Sequence, residues 1–154
     1  MSQNILAPFS KAACQTFKLL LDIDVMEDTP EAFSENSQGN VEIAIGIIGD
    51  YSGEILYCFP KDTTLEIVKT MCGMEFDEID EFVKSAIGEL ANIISGNALT
   101  DLSQQKVICD ILPPKFMEGN NSDKESSQCP VYQTRMKTPI GNVELRLKVD
   151  TSNN

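Results

Sequence analysis

The 154-residue chain contains no histidine and no tryptophan, and it sets only 12 basic side chains against 24 acidic ones. Without an imidazole there is no Ser-His-Asp triad, no Cys-His nucleophile pair, no histidine-ligated zinc and no phosphohistidine relay. Any chemistry must come from carboxylates, amides, hydroxyls, thiols or a partner. The net charge of −12 argues against nucleic acid and anionic membrane as partners, because both reward clustered Lys and Arg. No apolar run approaches the roughly 18 residues of a membrane span, and the N-terminus lacks the basic-then-apolar pattern of a signal peptide. A cytoplasmic location is the expectation.

Cysteine is present but unorganised. The five residues, at 14, 58, 72, 109 and 129, are odd in number and include no C-x-x-C pair, so neither a disulfide framework nor a thiolate metal site is expected. In Leu56-Tyr57-Cys58-Phe59 and Val107-Ile108-Cys109 the thiol reads as a small hydrophobe. No cationic neighbour is placed to activate it as a nucleophile.

What remains is ordinary globular composition, 42% hydrophobic and 23% charged, in a length suited to one core. Apolar residues at helical spacing (Ile5, Leu6, Phe9, Ala13, Phe17, Leu20, Leu21) predict an amphipathic helix over 4–21. Ser34 to Asn40 reads as a loop. Val41 to Ile48 and Glu54 to Phe59 read as strands about a turn at Gly49–Gly53. After Pro60, Asp62 or Thr63 is expected to cap a short helix with Leu65, Val68, Met71 and Cys72 on its apolar face and Gly73 as its stop. A long helix is predicted from about Asp77 to about Leu102, then a strand over Lys106–Leu112 ending at Pro113-Pro114. Glu118 to Gln128 reads as a loop, and strands over about 130–138 and 142–150 flank a Pro139-Ile140-Gly141-Asn142 turn.

The two long helices resemble each other. Aligning Phe9 with Phe82 also matches Lys11 with Lys84 and Ala13 with Ala86, and sets Leu20 and Leu21 on Ile93 and Ile94. The economical fold class is α/β, of the α+β type. In it two helix-plus-three-strands units, about 1–73 and 74–154, form a single domain with helices on a mostly antiparallel six-stranded sheet.

The stretch that carries chemistry is Phe82-Val-Lys-Ser-Ala-Ile-Gly-Glu-Leu-Ala-Asn-Ile-Ile-Ser-Gly-Asn97. With Ser85 as origin and about 100° per residue, Glu89 falls near +40°, Asn92 near −20° and Gly96 near +20°, with Gly88 about 60° to one side. The apolar residues take the opposite half, so this stripe should face solvent. Two helix-interior glycines cost about 1 kcal/mol each against alanine. A small-residue surface around one carboxylate and one amide suits close docking of another protein. A plain solvated face, with glycines admitting a packed neighbour, accounts for the same pattern.

Ser85, Glu89 and Asn92 match the signature of the CheC/CheX/FliY chemotaxis phosphatases: Asp or Ser, three residues, Glu, two residues, Asn, then a proline some twenty-odd positions on. Pro113 and Pro114 follow Asn92 after 20 and 21 residues. The resemblance extends to Asn92-Ile-Ile-Ser-Gly-Asn97 and to the Gly49–Gly53 turn leading into Tyr57-Cys-Phe-Pro60. The first-helix positions aligned with the motif, Ala12, Thr16 and Leu19, have neither carboxylate nor amide. One active helix per chain resembles the CheX branch, whose members resemble homodimers.

The resemblance implies that the substrate is the aspartyl-phosphate of a response-regulator receiver, CheY or a relative. It implies Glu89 and Asn92 as catalytic residues and Ser85, Gly88 and Gly96 as the docking surface. It implies no cofactor of the chain's own, with Mg2+ carried by the receiver. A non-catalytic phospho-receiver adaptor and a flagellar-switch component are the competing readings. A metal-dependent hydrolase is disfavoured, since Asp77, Glu78, Asp80 and Glu81 read as charges favoured at a helix N-terminus.

Overall fold

A computed structural model describes residues 6–28, 41–117 and 131–150. The expected loops at 34–40 and 118–128 lie outside the described residues. Two tight hairpins build the sheet. Val41–Gly49 (β2) turns through Asp50-Tyr51 into Ser52–Phe59 (β3), and Val131–Thr138 (β6) turns through Pro139-Ile140 into Gly141–Asp150 (β7). The hairpins join along their second strands, from Ser52 opposite Asp150 to Cys58 opposite Glu144. The short strand Met26–Asp28 (β1) lies on β6 at one edge. Cys109–Ile111 (β4) and Lys115–Met117 (β5) lie end to end on β2 at the other. The sheet is antiparallel throughout and six positions wide, as expected, but seven segments fill it. Met26–Asp28 and Lys115–Met117 are strands where none was expected, and the strand expected over Lys106–Leu112 is the shorter Cys109–Ile111. The first strand of each half pairs with the hairpin of the other half, so the halves interleave.

One face of this sheet is the core. Successive side chains alternate across a strand, which turns Ile43, Ile45 and Ile47 of β2, Ile55, Tyr57 and Phe59 of β3, and Val143, Leu145 and Leu147 of β7 to the same buried side. Three helices cover it. Leu6–Thr16 (α1) runs into a wider π turn, Phe17–Leu21, closed by Asp22 in the left-handed region (φ 59°). Glu81–Gln104 (α3) lies against α1. Between them in sequence, Lys61–Cys72 (α2) ends at Gly73 with φ 77°, the residue expected to stop it.

Three helix details differ from expectation. The α3 helix begins at Glu81 rather than near Asp77, because the Asp80 carboxylate accepts the Val83 N–H at 2.9 Å and so fixes the first turn. The α2 helix has no side-chain cap: Asp62 lies inside its first turn, and Thr63 points inward to donate to the Ile140 carbonyl at 2.9 Å. Its buried face is Thr63, Thr64, Ile67 and Val68, while Cys72 is exposed. The helix alignment also shifts. Ala12 and Thr16 are buried, and Phe9 has no exposed surface where Phe82 is half exposed. The outward positions of α1 and the π turn that continues it are Lys11, Gln15 and Lys18, at the spacing of Ser85, Glu89 and Asn92. The first helix therefore presents a lysine–glutamine–lysine stripe, again without a Glu-Asn pair.

Candidate active site

The α3 helix is held from below along its length. Val83, Ile87, Leu90, Ala91, Ile94 and Ala98 pack into the core, each at most 1% exposed. At the level of the last two motif residues the Ser95 and Tyr57 hydroxyls share a 2.7 Å hydrogen bond within the buried layer. Burial pushes the Tyr57 phenol well above its ordinary pKa, with the Ser95 hydrogen bond working the other way. The helix is thus a fixed rod on the sheet, and its outward stripe is a preorganised surface.

That stripe carries most of the residues singled out from sequence. Ser85 and Glu89 are exposed, and Asn92 and Gly96 are half-buried. Glu89 and Asn92 sit three residues apart, which places their side chains on one face about 4.5 Å apart along the axis. Neither they nor Ser85 makes a hydrogen bond or ion pair to a described residue. One carboxylate and one amide therefore point outward with their polar atoms uncommitted.

Gly88 differs from expectation: it is buried. An added Cβ would lie 3.8 Å from Pro114 and 3.9 Å from Phe116, ordinary contact distances, so the outer edge of the sheet lies over this position and leaves room for a methyl group but not for a large side chain. That edge is shaped by a bulge. Ile47 of β2 faces Ile111 while Ala44 faces Lys115, so the edge carries one residue more than its partner between these pairs. Pro113 and Pro114, which have no N–H to give, occupy the interruption. Two contacts fix it. The Leu112 N–H donates to the Gly46 carbonyl at 2.9 Å, and Asp50 exchanges hydrogen bonds with Ile108, 2.9 Å to its carbonyl and 2.8 Å from its N–H. Gly49, at φ 122°, leaves room for that approach, since a Cβ there would fall 2.6 Å from the Ile108 oxygen.

The result is a wall along one side of the stripe. Sequence reasoning flagged Pro113 and Pro114 but missed Phe116 and Lys84, whose ammonium stands 5.9 Å from the Phe116 ring centre. At the N-terminal end of the stripe, Phe82 is half exposed and stacks on Phe76 with ring centres 5.4 Å apart. On the opposite side, between the π turn and α3, lies an open groove of about 670 Å3. Its lining includes Cys14, Gln15, Leu19 and Leu20 from the first helix and Ile93 and Asn97 from α3.

The other reactive groups do not converge on the stripe. Cys58 is on the sheet, and burial pushes its thiol up to about 12, with Arg146 partly opposing the shift. Such a thiol is not a nucleophile near neutral pH. Among the described residues, Cys14, Cys58, Cys72 and Cys109 form no disulfide; Cys129 lies outside the described residues. Among the described residues no three acidic or thiol side chains gather as a metal site, and no helix is long and apolar enough to cross a membrane.

The family model for the chemotaxis phosphatase CheX matches residues 41–137. The chain belongs to the CheX family. A protein of Thermotoga maritima named CheY-P phosphatase CheX is 33% identical over 105 residues, covering 64% of this chain and 68% of that one. A CheX chemotaxis protein from Desulfovibrio desulfuricans superposes with a TM-score of 0.81 at 26% identity, covering 96% of this chain and 99% of the other. A CheX–CheY–BeF3–Mg2+ complex from Borrelia burgdorferi includes a chain with the same fold. It gives a TM-score of 0.76 at 22% identity, with 95% and 97% covered.

Proposed function

We propose that this CheX-family chain is a phosphatase for the aspartyl-phosphate of a CheY-like receiver. The observation that carries the reading is the uncommitted Glu89–Asn92 pair, one turn apart on the solvent face of a sheet-anchored helix. The name of the Thermotoga maritima relative and the presence of CheY with CheX in the Borrelia burgdorferi complex support it.

The chemistry suits a chain without histidine. An acyl phosphate is already activated, and its largely dissociative hydrolysis requires an in-line water more than a strong base. Asn92, entering the receiver's site, holds that water through the acceptor and donor of its amide. The water oxygen bonds to phosphorus as the P–O bond to the receiver's aspartate breaks, releasing inorganic phosphate and a free carboxylate. Glu89 pairs with the receiver's phosphate-contacting lysine and orients the docked helix. Ser85 and Gly96 form the contact surface, and Gly88 borders it as a small residue beneath Pro114. Mg2+ belongs to the receiver, held by its own acidic residues. In this reading the protein acts in the cytoplasm as a homodimer of single-domain subunits, each built from two pseudo-repeated units and carrying one site.

Decay of a radiolabelled phospho-receiver with and without the chain tests the proposal. Faster decay is expected with the wild type and not with Asn92→Ala. Tight binding without faster decay would identify an adaptor instead.

A further inference from the structure

Beside Asn92, the groove between the two helices exposes two adjacent leucines, Leu19 at 74% and Leu20 at 45%. They belong to the π turn Phe17–Leu21, a form of helix that recurs at functional sites. Lys18, which also lines the groove, already pairs with Asp22 at 3.6 Å and Asp24 at 3.2 Å. The groove therefore offers apolar surface rather than charge.

Its position decides what covers it. Ile93 and Asn97 line the groove and are neighbours of Asn92 and Gly96 on α3, so it begins within about 8 Å of the catalytic amide along the axis. A specific interface takes about 800 Å2 from each partner, a patch that reaches about 16 Å from its centre. A receiver seated on Asn92 with an ordinary footprint covers Leu19 and Leu20 as well. We propose that this groove seats an apolar side chain of the phospho-receiver, taken from the surface bordering its phosphorylation site. The first helix then adds to the affinity that the α3 stripe supplies, while the chemistry stays on α3. The inference rests on the receiver reading above and extends the docking surface to a helix without a Glu-Asn motif.

The test titrates the beryllofluoride–magnesium form of a CheY-type receiver from the same organism into wild type, Asn92→Ala and L19S/L20S. Both leucines are exposed, so their replacement spares the core. Wild type and Asn92→Ala are expected to bind alike, and L19S/L20S to bind about tenfold more weakly, the loss that follows from uncovering a buried leucine contact. Unchanged binding by L19S/L20S would overturn the groove and leave the receiver reading intact. Absence of binding by the wild type would overturn the receiver reading and the groove with it. Alkylation supplies a measurement that needs no variant. The activated receiver should slow maleimide labelling of Cys14, which lines the groove, and not of exposed Cys72. An unprotected Cys14 in the saturated complex would refute the proposal.

Discussion

The hydroxyls of Tyr57 and Ser95 meet at 2.7 Å inside the core and fasten α3 to the middle of the sheet three residues past Asn92. Ser95→Ala strands the Tyr57 hydroxyl without a partner and should cost about 1–3 kcal/mol in urea denaturation. The double variant Tyr57→Phe/Ser95→Ala removes both polar groups and should recover most of that loss. If the double variant is as unstable as Ser95→Ala, the hydrogen bond is not what the alanine removes.

Catalysis and binding should separate at the motif. Asn92→Ala is expected to lower receiver dephosphorylation by about 10²-fold or more, the scale set by losing alignment of a reacting group, with receiver affinity retained. Glu89→Ala should weaken affinity and turnover together. Rates from radiolabelled phospho-receiver and binding of its beryllofluoride form decide this, and full activity in Asn92→Ala would remove the water-positioning role.

The glycines of α3 give opposite expectations for folding and docking. Gly96 has open space where a Cβ would point, so Gly96→Ala should stabilise the helix by up to about 1 kcal/mol while weakening receiver binding. Gly88→Ala meets Pro114 and Phe116 only at ordinary contact distance and should stabilise similarly. A bulky Gly88→Ile must displace Pro114 and is expected to lose activity. Thermal melts beside binding titrations read both effects, and unchanged affinity in Gly96→Ala would take Gly96 off the docking surface.

Stability should fall in alkali. Cys58 is held protonated in the fold up to about 12, against an ordinary thiol value of 9.0, so the native state keeps a proton that the unfolded chain releases. The contribution is complete below pH 9 and declines between about pH 9 and 12, by on the order of 4 kcal/mol at most. Tyr57 shifts in the same direction. The urea midpoint measured across that range should drop less steeply in Cys58→Val; an identical slope would show that the thiol stays neutral in neither state's favour.

The motif was legible because its signal is local: the spacing of Ser85, Glu89 and Asn92 puts them on one face whatever the rest of the chain does. Helical spacing of apolar residues likewise revealed the long helices, and β-branched content bounded by turn residues revealed the first hairpin, whose strand Val41–Gly49 is buried at Val41, Ile43, Ile45 and Ile47. Long-range contacts were not legible. The strand Met26–Asp28 is three residues with no pattern of its own and forms on β6. The burial of Gly88 depends on a bulge between strands β4 and β5, which pair with β2 from far along the chain. The one-residue error in aligning the helices arose from matching Phe9 to Phe82, which differ in burial though not in type.

The interleaving of the two halves also governs how the molecule is made. Met26 pairs with Lys137, so the edge strand that is synthesised before the rest of this sheet waits for the sixth of its seven segments. Loop closure over such a span is slow. Until β6 arrives, β1 has no neighbour, and β3 lacks β7 along its whole length. A chain truncated before Val131 would expose the inner edge of β3, with the apolar residues Ile55, Tyr57 and Phe59, to any strand able to join it. Nascent and C-terminally shortened forms are therefore where chaperone dependence and aggregation will concentrate.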